Sequence, residues 1–294
     1  MTLLPIVPPN CLKKCMILTK PTRCTYSGDP MITELVEHNI QHPTERKYET
    51  PLLLLHGAWH GAWCWAEWPS YFAQLGYEVH TIGLPDHGGT AGTKRHINLY
   101  SLGDYVAFLG QEINKMKVTP IVVGHSMGGA VLQKYIQHNA LPGAVLLATL
   151  PATGIFKMLL RLLRKHPSAI LQGLLTMNMY QWVATPALAQ ALFLNKNSEI
   201  DVVEFQQKLV RESLLMGTQT MIPFARMNKN TAVPVLVIAG EKDNVFTIAE
   251  EKATAQKYDA DFILIKDQAH NLMMENEWQS VADQIHNWIQ TTIH

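Results

Sequence analysis

The chain has 294 residues, which is enough to bury one large core, so we expect one α/β domain with an elaboration and not a tandem array. Basic and acidic side chains number 24 each, and this balance gives no overall field that would favour nucleic acid, an anionic membrane or a polyanionic substrate. No stretch reaches the roughly 18 unbroken apolar residues of a membrane span. The sequence therefore predicts a cytoplasmic protein without integral membrane contact, whose partner is a small, largely uncharged ligand.

The N-terminal segment and the cysteines give no sign of a metal or a cofactor. Residues 1–30 contain only a short apolar run without a signal-peptide cleavage pattern, and we interpret them as an extension of unknown role. Three of the four cysteines lie in this segment, and none has the CxxC or Cys/His spacing of a zinc site. The chain also lacks the G-x-G-x-x-G, Walker and H-E-x-x-H patterns of nucleotide and zinc chemistry. We predict no metal and no cofactor.

Apolar runs and helix-length periodic segments alternate from about residue 50 onward, which is the pattern of a parallel sheet covered by helices. The candidate strands are residues 52–55, 78–82, 120–123, 144–147, 235–239 and 262–265. The candidate helices are residues 65–75, 102–115, 127–137 and 278–289. Ser101 and Asp104 form a capping-box pattern that marks the start of the second helix.

The interval from residue 155 to residue 224 breaks this alternation, because it is far longer than an ordinary connection between two elements. It is rich in leucine and methionine, so we predict several short amphipathic helices that form an inserted cap. In this division of the chain, residues 31–153 and 226–294 form the core and residues 154–225 form the cap. Many of the apolar residues in the interval are expected to pack simply as additional core.

The strongest local signal is GHSMGG at residues 124–129, which directly follows a predicted strand and directly precedes a predicted helix. This is the G-x-S-x-G nucleophile elbow in the structural context that it requires. Gly124 and Gly128 remove side chains that would collide in so tight a turn, and the strained backbone lifts the Ser126 hydroxyl out of the sheet edge. The following helix directs its positive end towards the place where an oxyanion would form. We predict that Ser126 is a nucleophile.

A serine hydroxyl is a weak nucleophile, so it needs a base, and the base needs a carboxylate that fixes its tautomer. Asp243 follows the fifth predicted strand, which puts it at the same sheet edge as Ser126, and Glu241 is the nearest alternative. His270 follows the last predicted strand and precedes the last predicted helix, so its loop can reach both residues. The predicted catalytic residues are therefore Ser126, Asp243 and His270.

The loop after the first predicted strand, HGAWHG at residues 56–61, is expected to help form an oxyanion hole. Such a hole needs two main-chain N–H donors. The predicted donors are Met127, which follows the nucleophile, and Ala58, because Gly57 lets the backbone turn inward. His56 is expected to brace the loop through hydrogen bonds and not to act directly.

Tryptophans crowd the same region, and we expect some of them to wall an apolar pocket. The candidate pocket residues are Trp59, Trp63 and His56, although packing against the first helix explains at least half of these tryptophans equally well. A second Asp/His pair, Asp86 and His87, precedes the nucleophile in a glycine-rich turn. We interpret this pair as structural.

Together these motifs resemble the α/β-hydrolase superfamily, and the similarity covers roughly residue 50 to the C-terminus. The loop HGAWHGAWCW, residues 56–65, is similar to the oxyanion loop of plant methylesterases and hydroxynitrile lyases. The segments GHSMGG and AHNLMM, residues 124–129 and 269–274, resemble bacterial esterases and monoacylglycerol-lipase-type enzymes. The lyases resemble one another in a threonine and a lysine where this chain has Ala58 and Asn271, so the resemblance favours ester hydrolysis.

The resemblance implies an α/β-hydrolase fold, with a mostly parallel sheet, helices on both faces and an inserted helical cap. The expected reaction is hydrolysis of a carboxylic ester of a small to medium hydrophobic substrate through an acyl-enzyme intermediate. Two alternatives stay open. The first is other chemistry on the same triad, such as lactone, thioester or carbon–carbon bond hydrolysis or cofactor-free oxygenation. The second is a ligand-binding protein with an idle triad.

Overall fold

The computed structural model describes residues 36–91, 95–225 and 233–294, so the predicted N-terminal extension, residues 1–30, lies outside the described residues. The strands of this part of the chain are β1 His38–Gln41, β2 Leu52–Leu55, β3 Val79–Ile82, β4 Ile121–His125, β5 Ala144–Leu147, β6 Val235–Gly240 and β7 Asp261–Ile265. They form one sheet in the order β1-β3-β2-β4-β5-β6-β7. Every neighbouring pair is parallel except β1 and β3, which pair antiparallel at one edge.

The α-helices of the described residues are α1 Trp68–Leu75, α2 Leu102–Lys115, α3 Met127–Tyr135, α4 Phe156–Lys165, α5 Pro167–Leu175, α6 Pro186–Phe193, α7 Val202–Gln207, α8 Leu214–Gln219, α9 Ile248–Tyr258 and α10 Trp278–Thr292. Short 3-10 helices occupy Ala62–Trp65, Ile97–Leu99 and Met179–Val183. None of these helices is both long enough and apolar enough to cross a membrane. The predicted mostly parallel sheet with interleaved helices is confirmed.

The predicted elements are all present, with ends shifted by a few residues in most cases. The capping box of α2 is confirmed, because the Asp104 N–H donates to Ser101 Oγ and the Ser101 N–H donates to Asp104 Oδ2 at 2.7 Å. The predicted helix over residues 65–75 is instead divided into a 3-10 helix and α1. Pro69 lies in the first turn of α1. Residues in a first turn donate no hydrogen bond within the helix, so a proline, which has no N–H, is well suited to this position and the helix begins there.

The central strands are buried on both faces, and successive residues pack into opposite layers. Leu53 and Leu55 of β2 belong to the core that α2 and α3 cover, whereas Leu52 and Leu54 belong to the core that α1 and α10 cover. All four side chains are fully buried. This two-sided burial explains why the strands are continuous apolar runs and not alternating ones.

Up to residue 225, the segment between β5 and β6 contains α4 to α8 and one 3-10 helix. Its buried side chains, among them Met158, Leu162, Leu192 and Phe205, belong to the same core as α2 and α3. The segment therefore packs over one side of the sheet and does not stand apart from it.

A methyl group at Gly128 tests how closely the ends of β2 and β4 approach. Its Cβ would lie 2.5 Å from the main-chain oxygen of His56 and 2.6 Å from that of Leu55. Main-chain atoms of a buried strand cannot turn away, so Gly128→Ala forces the backbone to shift. We expect it to lower the free energy of unfolding by about 2 kcal/mol, measured by urea denaturation.

Gly103→Ala in α2 is the matched control. Among the described residues its Cβ would meet only Ser101 Oγ, at 3.5 Å, so the methyl group fits. We expect this change to raise the free energy of unfolding by about 0.5 kcal/mol, because alanine loses less backbone entropy in a helix. Equal losses in the two variants would contradict the close approach at Gly128.

Candidate active site

The loops after β2, β4, β6 and β7 lie at one edge of the sheet, because these strands run parallel. These four loops carry the residues that the sequence singles out: Ala58, Ser126, Asp243 and His270. Parallel strands that point one way deliver their following loops to a common edge, which is where ligands bind in open α/β sheets.

The turn at Ser126 has a strained backbone. Ser126 has φ 50° and ψ −114°, which a non-glycine residue rarely adopts. Its N–H donates to the carbonyl oxygen of Leu147 at 3.0 Å, and its own carbonyl oxygen accepts from Ala130 N–H at 3.2 Å. A Cβ at Gly124 would lie 2.7 Å from the Gly128 oxygen, so the collision expected from the sequence is real. Neighbouring hydrogen bonds hold the strained turn in place.

The loop after β2 touches this turn directly. A Cβ at Gly57 would lie 2.8 Å from both Ser126 Cβ and His125 Nδ1. Only glycine permits so close an approach of the backbone. The loop that carries Ala58 is therefore in contact with the serine turn.

Asp243 and His270 form a buried hydrogen-bonded pair. His270 Nδ1 lies 2.8 Å from Asp243 Oδ2, and the two side chains are 1% and 2% exposed. The other carboxylate oxygen, Oδ1, accepts from Val245 N–H at 2.6 Å and from Phe246 N–H at 3.0 Å. Because a carboxylate only accepts, Nδ1 of His270 carries a proton, and when the ring is neutral its Nε2 has a free lone pair.

His270 also lies against the cavity that Ser126 lines. Its ring packs on Phe246 and Phe193, with ring centroids 5.4 and 5.8 Å apart, and both phenylalanines line that cavity. Its ring is also 4.9 Å from that of His125, the neighbour of Ser126 in the chain. His270 Nε2 is buried without a hydrogen-bond partner among the described residues, so no hydrogen bond to Ser126 is formed in this state.

Ala58 and Met127, the predicted oxyanion donors, both line the same cavity as Ser126. Within residues 36–91, 95–225 and 233–294, neither main-chain N–H has an acceptor. Met127 is the first residue of α3, where N–H groups have no partner within the helix. Two unpaired donors therefore flank the serine from different loops.

The cavity beside Ser126 measures about 50 Å³ and is almost entirely apolar. Trp59 is one of the residues that line it, as expected from the sequence. The segment between β5 and β6 supplies much of the remaining wall: Ile155, Met158, Leu162, Met179, Trp182, Leu192, Phe193, Glu212, Met216, Gly217 and Thr220.

Trp63 and His56, the other two pocket candidates, do not line this cavity, and that prediction is corrected. Trp63 stacks on His60, with ring centroids 5.3 Å apart. His56 braces the loop, because its Nε2 accepts from Leu84 N–H at 2.9 Å and its Nδ1 donates to the Gly57 oxygen at 2.8 Å. The sequence does not show which face of a tight loop turns towards the cavity, and this explains the error.

The alpha/beta hydrolase family profile matches residues 52–284 of this chain. The chain belongs to this family. Methyl jasmonate esterase 1 of Vitis vinifera is 37% identical over 87 residues, which are 28% of this chain and 32% of that protein. Norfluorocurarine synthase 2 of a Strychnos species is 35% identical over 95 residues, which are 31% and 33% of the two chains. The chain thus matches about a third of the length of these relatives.

Solved structures agree with the fold of this alpha/beta hydrolase. A thermophilic esterase from Thermogutta terrifontis superposes with a TM-score of 0.59 at 18% identity, covering 88% of this chain and 94% of the other. At this identity the likeness shows the fold alone. Within the residues that the structure describes, no cluster of three or more His, Cys, Asp or Glu side chains could hold a metal ion.

Sequence reasoning missed several residues at this site of the hydrolase. Phe193, Phe246 and Glu212 line the cavity, but each lies in a stretch without a motif. Glu251 was missed too. It is 1% exposed, and burial, with Asp243 nearby, raises its pKa well above the ordinary value. The buried position thus disfavours a second negative charge beside Asp243.

Buried histidines surround the site of this hydrolase. Burial lowers the pKa of His60 to about 4, although its hydrogen bond to the Ala58 oxygen offsets part of the effect. Burial also lowers the pKa of His56 and of His125 well below the ordinary value. These three rings are neutral at pH 7, and the wall behind the serine is polar but uncharged.

The neutral state of His60 predicts a pH-dependent stability. Between pH 6.5 and about 4 the unfolded chain binds a proton at this side chain and the folded chain does not. The free energy of unfolding therefore falls as the pH is lowered through this window. We expect His60→Gln to flatten its dependence on pH by about 1 kcal/mol per pH unit between pH 5 and 6. The free energy of unfolding is measured by urea denaturation at each pH. If it depends on pH equally steeply in the variant and in the original protein, the assignment to His60 is wrong.

Proposed function

We propose that this protein is a serine esterase that cleaves carboxylic esters of small, uncharged, hydrophobic acyl groups through an acyl-enzyme intermediate. Ser126 attacks the ester carbonyl, His270 accepts the serine proton and returns it to the leaving alcohol, and Asp243 orients the imidazole. Water then attacks the acyl group with the same help from His270. The observation that carries the proposal is the 2.8 Å contact between His270 Nδ1 and Asp243 Oδ2. The His270 ring packs on Phe193 and Phe246, which line the same cavity as Ser126.

The proton inventory of His270 supports this role. Its Nδ1–H donates to Asp243. Its Nε2 has no hydrogen-bond partner among the described residues, so in the neutral ring the lone pair on Nε2 is free to accept a proton. A lone pair of this kind is what a general base needs. The carboxylate of Asp243 then stabilises the imidazolium that forms when Ser126 loses its proton.

The unpaired N–H groups of Ala58 and Met127 support oxyanion stabilisation. They are on loops that contact each other through Gly57 and Ser126. Donors that are already in position when charge develops on the carbonyl oxygen lower the barrier without any reorganisation.

The cavity supports a neutral, compact acyl group. Its lining contains one ionisable side chain among the described residues, Glu212, whose oxygens already accept hydrogen bonds from the protein. A volume of about 50 Å³ matches a few water-sized groups, so a short acyl chain fits best. We propose that residues 154–225 act as the cap that supplies this wall.

The name of the Vitis vinifera relative, an esterase, supports ester hydrolysis. The Strychnos relative is named as a synthase, so similarity at this level extends to a protein that is not named as a hydrolase. Other chemistry on the same triad is therefore the second candidate. A substrate screen that finds turnover of lactones or thioesters but not of simple esters would favour it.

The test of the proposed function combines a fluorophosphonate probe with ester hydrolysis. The original protein should be labelled at Ser126 and should hydrolyse short acyl esters. Ser126→Ala should abolish labelling and lower kcat by a thousandfold or more, because the nucleophile is lost. A Ser126→Ala variant that retains full activity would sink the proposal.

Asp243 and Glu241 offer a matched pair of variants for the acid. Asp243→Asn should lower kcat roughly a thousandfold or more, since the amide favours the wrong imidazole tautomer. Glu241→Gln should leave kcat close to the original value, because Glu241 is 37% exposed and accepts from Asp267 N–H and not from His270. The reverse result would identify Glu241 as the acid.

Met158 is expected to limit the length of the acyl chain that the cavity accepts. Its side chain lines the wall and is 5% exposed, so Met158→Ala should enlarge the cavity. We expect the ratio of kcat/KM for octanoyl over acetyl esters to rise about tenfold. Met177→Ala is the control, because Met177 is 61% exposed and does not line the cavity. An unchanged ratio in Met158→Ala would show that the acyl group binds elsewhere.

A further inference from the structure

A buried ion pair lies beside the loop of Ala58, and the proposed reaction does not use it. Glu212, between α7 and α8, and His87, in the loop after β3, have side chains that are 1% and 0% exposed. His87 Nε2 lies 2.9 Å from Glu212 Oε2, and His87 Nδ1 lies 2.8 Å from the Pro85 oxygen. A carbonyl and a carboxylate only accept, so both ring nitrogens donate. The pair is therefore an imidazolium and a carboxylate.

The charge on His87 agrees with its surroundings. Burial on its own would lower the pKa of His87, but the Glu212 carboxylate raises it, with the hydrogen bonds to Glu212 and Pro85 adding to this effect. The net shift is upward, so the imidazolium persists at a pH where an ordinary histidine begins to lose its proton. Both members of the pair depend on each other, because an unpaired charge in this position would be strongly disfavoured.

The carboxylate of Glu212 also holds the main chain of Trp59. Trp59 N–H donates to Glu212 Oε2 at 3.2 Å, and Trp59 oxygen accepts from Val210 N–H at 2.9 Å. The short segment 210–212 thus binds both main-chain polar groups of one residue. Trp59 has φ 63°, the left-handed conformation that a bulky side chain disfavours, so these hydrogen bonds are what keep it there.

Glu212 has no oxygen to spare for a substrate. Besides Trp59 and His87 on Oε2, its Oε1 accepts from Ser213 N–H at 2.6 Å and from Tyr105 Oη at 3.4 Å. A carboxylate engaged by four donors is a fixed anchor and not a general base. Its place in the wall of the cavity therefore calls for another explanation than proton transfer.

We propose that Glu212, hydrogen-bonded to His87, is a positioning residue that fixes the oxyanion loop. It holds Trp59 in the left-handed conformation, and this fixes the adjacent residue Ala58 with its N–H beside Ser126. The inference rests on the proposed function and names the device that keeps one of its two oxyanion donors in place. Because segment 210–212 belongs to the proposed cap, the same contact links the position of the cap to the oxyanion hole.

Glu212→Gln tests this directly, since the amide keeps the shape but removes the negative charge that pairs with His87. Its NH2 group must also face one of the two pairs of donors, Trp59 with His87 or Ser213 with Tyr105, so the four hydrogen bonds cannot all remain. We expect kcat for a short acyl ester to fall about ten- to a hundredfold with little change in KM, because an oxyanion donor acts mainly in the transition state. The affinity for a trifluoromethyl ketone, which forms a tetrahedral adduct with the serine, should fall by the same factor. The affinity for the matching unreactive alcohol should not change.

A second readout does not depend on catalysis. Hydrogen exchange of the Trp59 amide, followed by mass spectrometry of the peptide that contains it, should be faster in Glu212→Gln. Unchanged exchange together with unchanged ketone affinity overturns the proposal. If Glu212→Gln does not fold, His87→Gln takes its place, and it should show the same separation of kcat from KM to a smaller degree because its amide still donates to Glu212.

Glu275→Gln is the matched control. Glu275 is another carboxylate that is 1% exposed. It accepts at 2.7 Å from the N–H of Asn195, which lies between β5 and β6, and among the described residues it forms no hydrogen bond with Trp59. We expect the original kcat and ketone affinity in this variant. An equal loss in Glu275→Gln would show a general effect of removing a buried carboxylate, and this would overturn the proposal.

The same set of variants distinguishes a failure of the proposed function from a failure of the positioning role of Glu212. If the original protein neither reacts with a fluorophosphonate nor binds the ketone, the proposed function fails, whereas Trp59 exchange still reports on the anchor. If the original protein does both and Glu212→Gln behaves identically, the proposed function stands and the positioning role of Glu212 falls.

Discussion

The contact between the end of β2 and the turn after β4 is the constraint on which the rest of the site depends. At Gly57 and Gly128 the two loops approach so closely that a methyl group would lie within 2.8 Å of neighbouring atoms. The contact fixes the strained Ser126 on one side and the loop of Ala58 on the other. This packing contact between two parallel strand ends therefore brings the loops of both unpaired N–H donors together at Ser126.

Burial gives the ionisable groups around the serine contrasting states. His56, His60 and His125 are neutral because the hydrogen bond of each ring to a main-chain oxygen offsets only part of the cost of charging it in the interior. His87 is charged because Glu212 lies 2.9 Å away. The result is an almost entirely apolar cavity, with uncharged histidines behind its wall and one ion pair, His87 and Glu212, whose charges offset each other. Such a wall favours an uncharged ligand, in keeping with the balanced charge of the chain.

The sequence predicted those parts of the molecule that depend on local rules. Two-sided burial produces apolar strands, and the tight turn at Ser126 demands glycines, so both are visible in the chain. It did not predict β1, whose four residues are mostly polar and exposed at the sheet edge. It also missed α9, because this helix buries Glu250 and Glu251 and so lacks a clear apolar stripe. Glu212 was out of reach for a different reason: apart from Ser213, its partners are more than 100 positions away, and no motif marks it.

Two contacts join the wall of the cavity to the core, and they differ in how exposed they are to water. On one side, Arg161 of α4 forms an ion pair with Glu250 of α9, 2.7 Å apart and partly exposed to water. On the other, the contact of Glu212 with His87 and Trp59 is fully buried. An ion pair with one partly exposed member is less costly to separate than a pair that is fully buried. Widening the cavity at α4 therefore leaves the oxyanion loop intact, while displacing residues 210–212 removes its anchor.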